Sequence, residues 1–126
     1  MWLAGLLEGE GCFALNYQNK NRYRYPLITL GMTDQDTVQH AADLMGVVRI
    51  GRKKSHAGHK QMHEMRLSGS RAAKVMLEVL PYMSERRSQR IRKVLLYYIG
   101  TRLQRAKEAW MSDHDGKLDE SLAPST

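Results

Sequence analysis

Residues 2 to 9 read Trp-Leu-Ala-Gly-Leu-Leu-Glu-Gly, too dense in apolar side chains for a loop. They are also too few for a helix that stands alone, since isolated helices shorter than about 12–15 residues are marginal in water. A helix here needs a partner. Directly behind it, residues 11 to 18 alternate Phe13, Leu15 and Tyr17 with Cys12, Ala14, Asn16 and Gln18, the period of two of a half-buried strand. The chain must therefore deliver a short helix straight into a strand, with Glu10 at the joint.

Downstream, Asn19-Lys20-Asn21 reads as a turn, and Arg22 to Met32 resumes an extended pattern through Tyr23, Tyr25, Ile28 and Leu30, so 11–32 forms one hairpin. Thr33, with Asp36 three residues later, reads as a cap for a helix over 34–45, in which Val38, Ala41, Ala42 and Met45 recur at helical spacing. Val47, Val48 and Ile50 open a third strand that runs into Arg52-Lys53-Lys54, a turn follows at 55–59, and Gln61 to Leu67 returns as the second hairpin. Ser70 is placed to cap a helix stopped by Pro81, and Ser84 another, whose stripe is Ile91, Val94, Leu95, Tyr98 and Leu103. Two hairpins interleaved with helices make an α+β domain: a four-stranded antiparallel sheet backed by helices on one face and open on the other.

Length and charge narrow this further. With 126 residues there is room for a single domain, read here as 1–111, followed by an acidic, flexible tail over 112–126. No stretch approaches the ~20 apolar residues of a membrane span. The N-terminal segment lacks the basic region and cleavage site of a secretory signal, so the expected location is intracellular. The single Cys12 suits a reducing compartment. The net charge is +7, yet residues 1–10 carry −2 and residues 108–126 carry −4, which leaves +13 on residues 11–107. A basic centre of that size is the footprint of a polyanion binder, most simply nucleic acid, or else a surface kept basic for solubility.

On the open sheet face, Asn16, Gln18, Lys20, Arg49, Lys53 and Arg66 are donors able to reach phosphates and base edges in a major groove, which admits a two-stranded ribbon. Arg22, Arg24, Thr29, Arg52, Lys54 and Lys60 extend this candidate DNA-contact set. In the first helix, Gly5 and Gly9 lie four apart on one face beside Ala4. Either the helix ends at Gly9, or the glycines let a second helix approach closely. If two copies cross there, two Glu10 carboxylates meet, and paired hard oxygen ligands facing a basic surface are what Mg²⁺-assisted phosphodiester hydrolysis needs.

The string Leu3-Ala4-Gly5-Leu6-Leu7-Glu8-Gly9-Glu10-Gly11 resembles the nine-residue signature of the LAGLIDADG homing endonucleases, with glutamate at both acidic positions, and the element order above is similar to that family's αββαββα core. A chain with one motif implies, in that family, a homodimer cutting a palindromic or near-palindromic site. The resemblance implies that Glu10 is the metal-binding carboxylate, with the Gly9 carbonyl as a further ligand of Mg²⁺ or Mn²⁺. It places the polar residue after the second strand, which orders water, at Asp34, and the basic residue after the Leu-Pro-aromatic turn at Arg86. It also makes Leu3, Ala4, Gly5, Leu6, Glu8 and Gly9 the dimer interface. Two other activities fit the same resemblance: a DNA-binding regulator without nuclease activity, and a helper in splicing of intron RNA.

Other features admit bland readings beside sharp ones. His56, His59 and His63 have spacings that allow zinc, but they span a turn and a strand rather than one helix face, so DNA contact or plain surface is the preferred reading over a structural metal. The methionines at 62, 65, 76 and 83 read as core filling. The run Arg86, Arg87, Arg90, Arg92, Lys93 is either a solvated helix face or a clamp on the DNA backbone.

Overall fold

A computed structural model describes residues 2–17, 23–53 and 60–113. Of the expected site residues, Gln18, Lys20, Arg22 and Lys54 lie outside the described residues, as do His56, His59 and the tail from 114 onward, and Lys53 is described through its backbone alone. The elements run α1 (Trp2–Glu10), β1 (Gly11–Tyr17), β2 (Arg24–Met32), α2 (Gln35–Met45), β3 (Gly51–Lys53), β4 (Met62–Ser68), α3 (Ser70–Val79), a 3-10 turn (Leu80–Tyr82) and α4 (Glu85–Asp113). The order is the one expected from the sequence.

The short α1 survives because Leu3, Ala4 and Leu7 are buried in the core. Burying each leucine contributes about 1.5–3 kcal/mol, enough to offset the weak intrinsic stability of nine helical residues. Those side chains pack with Phe13, Ile28, Leu30, Met65 and Leu67 from the sheet and with Val38, Met76, Val79, Ile91 and Val94 from the other helices. The sheet is antiparallel throughout, in the order β1-β2-β4-β3, so the second hairpin joins the first through β4. Phe13 pairs with Ile28 and Ile28 with Leu67, and this register puts the large apolar residues on the helix-covered side.

Several local details differ from the sequence expectation. The cap of α2 is Asp34 rather than Thr33: its carboxylate accepts from the backbone N–H groups of Asp36 at 3.1 Å and Thr37 at 3.4 Å, and from the Thr37 hydroxyl at 2.9 Å. The helix closes at Gly46, whose φ of 73° is readily adopted only without a Cβ. Residues 47–50 do not extend the third strand; β4 pairs with β3 only through residues 62–64, and Val48 stays 89% exposed. Gly69, not Ser70, precedes α3, and no side chain caps that helix. In α4, Ile91, Val94 and Leu95 are buried, but Leu96, Ile99 and Leu103 are exposed, so the apolar stripe stops feeding the core after Tyr98. The helix itself continues two residues past 111, to Asp113. Among the described residues, no helix is long and apolar enough to cross a membrane.

Candidate active site and nucleic-acid interface

Glu10 is the last residue of α1 and Gly11 the first of β1, so no linker separates the carboxylate from the sheet. A Cβ on Gly11 would lie 2.8 Å from the Leu7 carbonyl oxygen and 3.0 Å from its Cα, a backbone approach that glycine alone accommodates. Glu10 is exposed and, among the described residues, makes no hydrogen bond. It sits where the unpaired carbonyls of α1, that of Gly9 included, concentrate partial negative charge, and no basic residue occupies the last turn. Hard oxygen donors at a helix C-terminus fit a divalent cation by chemistry. Among the described residues no three His, Cys, Asp or Glu side chains gather as a metal-binding group.

Helix α4 is tied to this joint by its first turns. The Ser84 N–H donates to the Glu8 carboxylate at 3.3 Å, the Arg87 guanidinium donates to the Gly11 carbonyl, and Arg90 Nε donates to the Phe13 carbonyl at 3.0 Å. Hydrogen bonding from Ser84 holds the Glu8 carboxyl below its usual range, helped by the charges of Arg87 and Arg86. Arg87 also stands 6.0 Å from the centre of the Phe13 ring. A cavity of about 410 Å³ is lined by Gly11, Cys12, Phe13, Arg86, Arg87 and Arg90. Arg87 and Arg90 are thus structural ties to β1, while the exposed Arg86 makes no hydrogen bond among the described residues. The arginine run is neither purely solvated nor a free clamp.

Gly11 pairs with Leu30, so the end of β2, and Asp34 two residues beyond it, come to the same end of the sheet as Glu10. Asp34 is held below its usual range by the hydrogen bonds from Thr37 and Asp36 that cap α2. The fold therefore gathers Glu10, Asp34 and Arg86 at one end of the sheet, with the Asp34 carboxylate already engaged locally.

Directly paired strand residues point to the same side. Cys12, Thr29 and Arg66 form one row on the open face, Ala14, Leu27 and Ser68 the next, and Asn16 and Tyr25 a third. Asn16, Thr29 and Arg66 are thus on the face expected to meet DNA, and Glu64, opposite Gly31 and Gly51, adds an acidic group there. Arg49 and Lys60 are exposed next to the strands. Arg24 and Arg52 differ from the expectation. Arg24 shares the phase of Pro26 and Ile28 and its backbone N–H donates to the Tyr97 hydroxyl of α4 at 3.3 Å, while Arg52 lies opposite the buried His63, so both belong to the helix-covered side.

On α1 the residues expected to meet a second copy separate into two sets. Leu3 (9% exposed) and Ala4 (1%) pack into the chain's own core, and Leu6 is partly buried against it. Trp2, Gly5 and Gly9 are exposed at helical spacing on one face, and a Cβ on either glycine would touch nothing within 4 Å. Trp2 packs edge-on against His40 of α2, ring centres 4.5 Å apart.

No family model matches the chain, and no curated protein matches it. Among solved structures it is similar to the homing endonuclease I-CvuI in complex with its target in the presence of Ca, at 19% identity and a TM-score of 0.63, covering 88% of this chain and 72% of that one. It is also similar to the archaeal intron-encoded homing endonuclease I-Vdi141I complexed with DNA, at 15% identity and a TM-score of 0.57, covering 86% and 70% respectively. A third, the homing endonuclease I-TnaI, matches at 16% identity and a TM-score of 0.53, covering 84% and 74%. The chain has the homing-endonuclease fold.

Proposed function

We propose that this protein is a site-specific, divalent-metal-dependent double-stranded DNA endonuclease of the LAGLIDADG type, acting as a homodimer on a palindromic or near-palindromic site. The observation that carries the reading is the placement of Glu10: an exposed carboxylate at the C-terminus of a helix with two bare glycines on its outer face, beside an arginine-lined cavity and at the end of an open sheet. The fold is one whose solved examples include nucleases bound to DNA.

In this reading the open face lies in the major groove, where Asn16, Thr29 and Arg66 contact bases or phosphates. Crossing of two α1 helices at Gly5 and Gly9 brings two Glu10 carboxylates and two Gly9 carbonyls together as one donor set. A divalent ion held there supplies Lewis-acid polarisation of the scissile phosphate and a lowered pKa for water. Arg86 stabilises the charge that develops on the phosphate, and its permanently charged guanidinium makes it a poor proton-transfer group. Glu8 and Arg87 position that apparatus by fixing the start of α4 to the α1–β1 joint.

Engagement of the Asp34 carboxylate in capping α2 favours a second reading, a DNA-binding regulator on the same fold without cleavage. Selection of cleaved sites from a randomised duplex library separates the two. A palindromic consensus recovered with Mg²⁺ and not with Ca²⁺ supports the nuclease dimer, whereas specific binding with no cleaved product in either ion supports the regulator.

A further inference from the structure

A second basic pocket lies at the far end of the sheet. Its volume is about 320 Å³ and its lining includes Arg24, Arg102, Arg105, Ser68, Ser70 and the backbone at Gly69. Three features converge on it. The guanidinium of Arg102 is fixed by the Tyr98 hydroxyl at 2.9 Å and lies 5.6 Å from that ring's centre, and Arg105 lies 5.4 Å from the centre of the Tyr23 ring. Helix α3 starts here with no side-chain cap, so its first N–H groups are open to an anion. Glu108, the nearest acidic residue on α4, accepts from the Tyr23 hydroxyl at 2.9 Å, and among the described lining residues none is acidic.

Planar guanidinium groups held on aromatic rings, serine hydroxyls and helix N–H groups are the donors that a tetrahedral phosphate dianion or diester takes. The pocket's rim includes Tyr25 and Ser68, which stand on the open face opposite Asn16 and Leu27. It is therefore continuous with the surface read as facing DNA. Five residues of β1 separate Gly11 from Asn16, about 17 Å along the strand at ~3.4 Å per residue. With 3.4 Å of rise per phosphate on one strand, that is about five base steps.

We propose that this pocket is a phosphate seat that grips the DNA backbone about five base steps outside the Glu10 end, using α4 and the start of α3 together with the adjoining ends of β2 and β4. The choice of DNA as the phosphate's source rests on the nuclease reading, while the phosphate chemistry stands on the pocket itself. The seat anchors each half-site at its outer end and adds affinity without adding sequence preference.

The test uses the whole chain and a double variant, Arg102→Gln with Arg105→Gln, beside a charge-matched control, Lys74→Gln with Lys107→Gln, whose residues are exposed and outside the pocket. Inorganic phosphate titrated into the wild-type protein is expected to give saturable NMR shifts at the Ser70 and Arg71 amides, retained in the control and lost in the double variant; absence of those wild-type shifts overturns the seat. In duplex binding, losing one phosphate contact per protomer lowers the slope of log affinity against log salt by about 0.9, or about 1.8 for a dimer. Between 50 and 200 mM salt the wild type should thus lose about 12-fold more affinity than the variant. Phosphate shifts with an unchanged salt slope would assign the pocket to a free phosphate and overturn the backbone assignment. A wild-type protein that binds no duplex refutes the nuclease reading, and the phosphate titration then decides the seat alone.

Discussion

Gly5 and Gly9 offer a perturbation whose two effects have opposite signs. Within one chain neither glycine has a structural reason to lack a side chain: an added Cβ meets nothing within 4 Å at either position, and neither has positive φ. Alanine in a helix interior is favoured over glycine by about 0.5–1 kcal/mol, so Gly5→Ala should stabilise the isolated fold by about that much, and Gly9→Ala by less, because it lies one residue from the helix end. The double variant should therefore gain about 1 kcal/mol. For a domain of this size that is a rise of about 4 °C in Tm. If the same face is where two α1 helices cross, four methyl groups hold them apart. We expect the dimer dissociation constant to rise at least tenfold, about 1.4 kcal/mol. Urea unfolding at concentrations where the chain is monomeric reads the first effect, and sedimentation velocity across a concentration series reads the second. Raised stability with unchanged or tighter self-association would refute the crossing, since nothing else in the structure explains two bare glycines on an exposed helix face.

Two further outcomes follow from the same geometry. Gly11→Ala should destabilise the fold by about 1–3 kcal/mol in urea unfolding, because its Cβ would lie 2.8 Å from the Leu7 carbonyl oxygen, and it should reduce cleavage more than its stability loss explains by displacing Glu10. Asp34 has its carboxyl lowered from 3.8, so its contribution is present above that value and lost as pH falls through the lower folded value. Asp34→Asn should therefore flatten the acid limb of the stability profile below about pH 4, measured by thermal unfolding across pH, while leaving the neutral arm closer to wild type because asparagine still caps; an unaltered acid limb would show that the cap is not charged.

Much of the fold could be read from hydrophobic period, since Phe13, Ile28 and Leu30 of the first hairpin, Val38, Ala41, Ala42 and Met45 of α2, and Ile91, Val94 and Leu95 of α4 are buried where their spacing selects them. What could not be read is set by pairing and by contacts distant in sequence. The phase of Arg24 follows from its alternation with Pro26 and Ile28, which the β1–β2 register puts on the helix-covered side, and single-strand alternation does not reveal which phase a border residue joins. Val47, Val48 and Ile50 have strand propensity, yet strand formation needs a ladder partner, and only residues 62–64 of β4 are paired there. At the site, Glu10 announced itself through its neighbours in the motif. The ties from Arg87 and Arg90 to β1 carbonyls did not, since a guanidinium that bonds the backbone 76 or 77 residues away leaves no local pattern. Arg102 and Arg105 are similar: they lie one turn apart on α4, but the serines and the uncapped helix start that complete their pocket come from residues 68–70.

The central claim is that Glu10 directs metal-dependent cleavage without being needed for the fold or for DNA binding, and Glu10→Gln tests it directly. The side chain is exposed at a helix end, and glutamine keeps its size and length while removing the charge that would hold the metal. Using a duplex selected from the randomised library, cleavage with Mg²⁺ and binding with Ca²⁺ should be measured side by side for both proteins. The account predicts loss of cleavage by at least a hundredfold, on the order expected for removing a group that stabilises transition-state charge, with the specific duplex still bound and Tm unchanged. Cleavage by Glu10→Gln at the wild-type rate would contradict it.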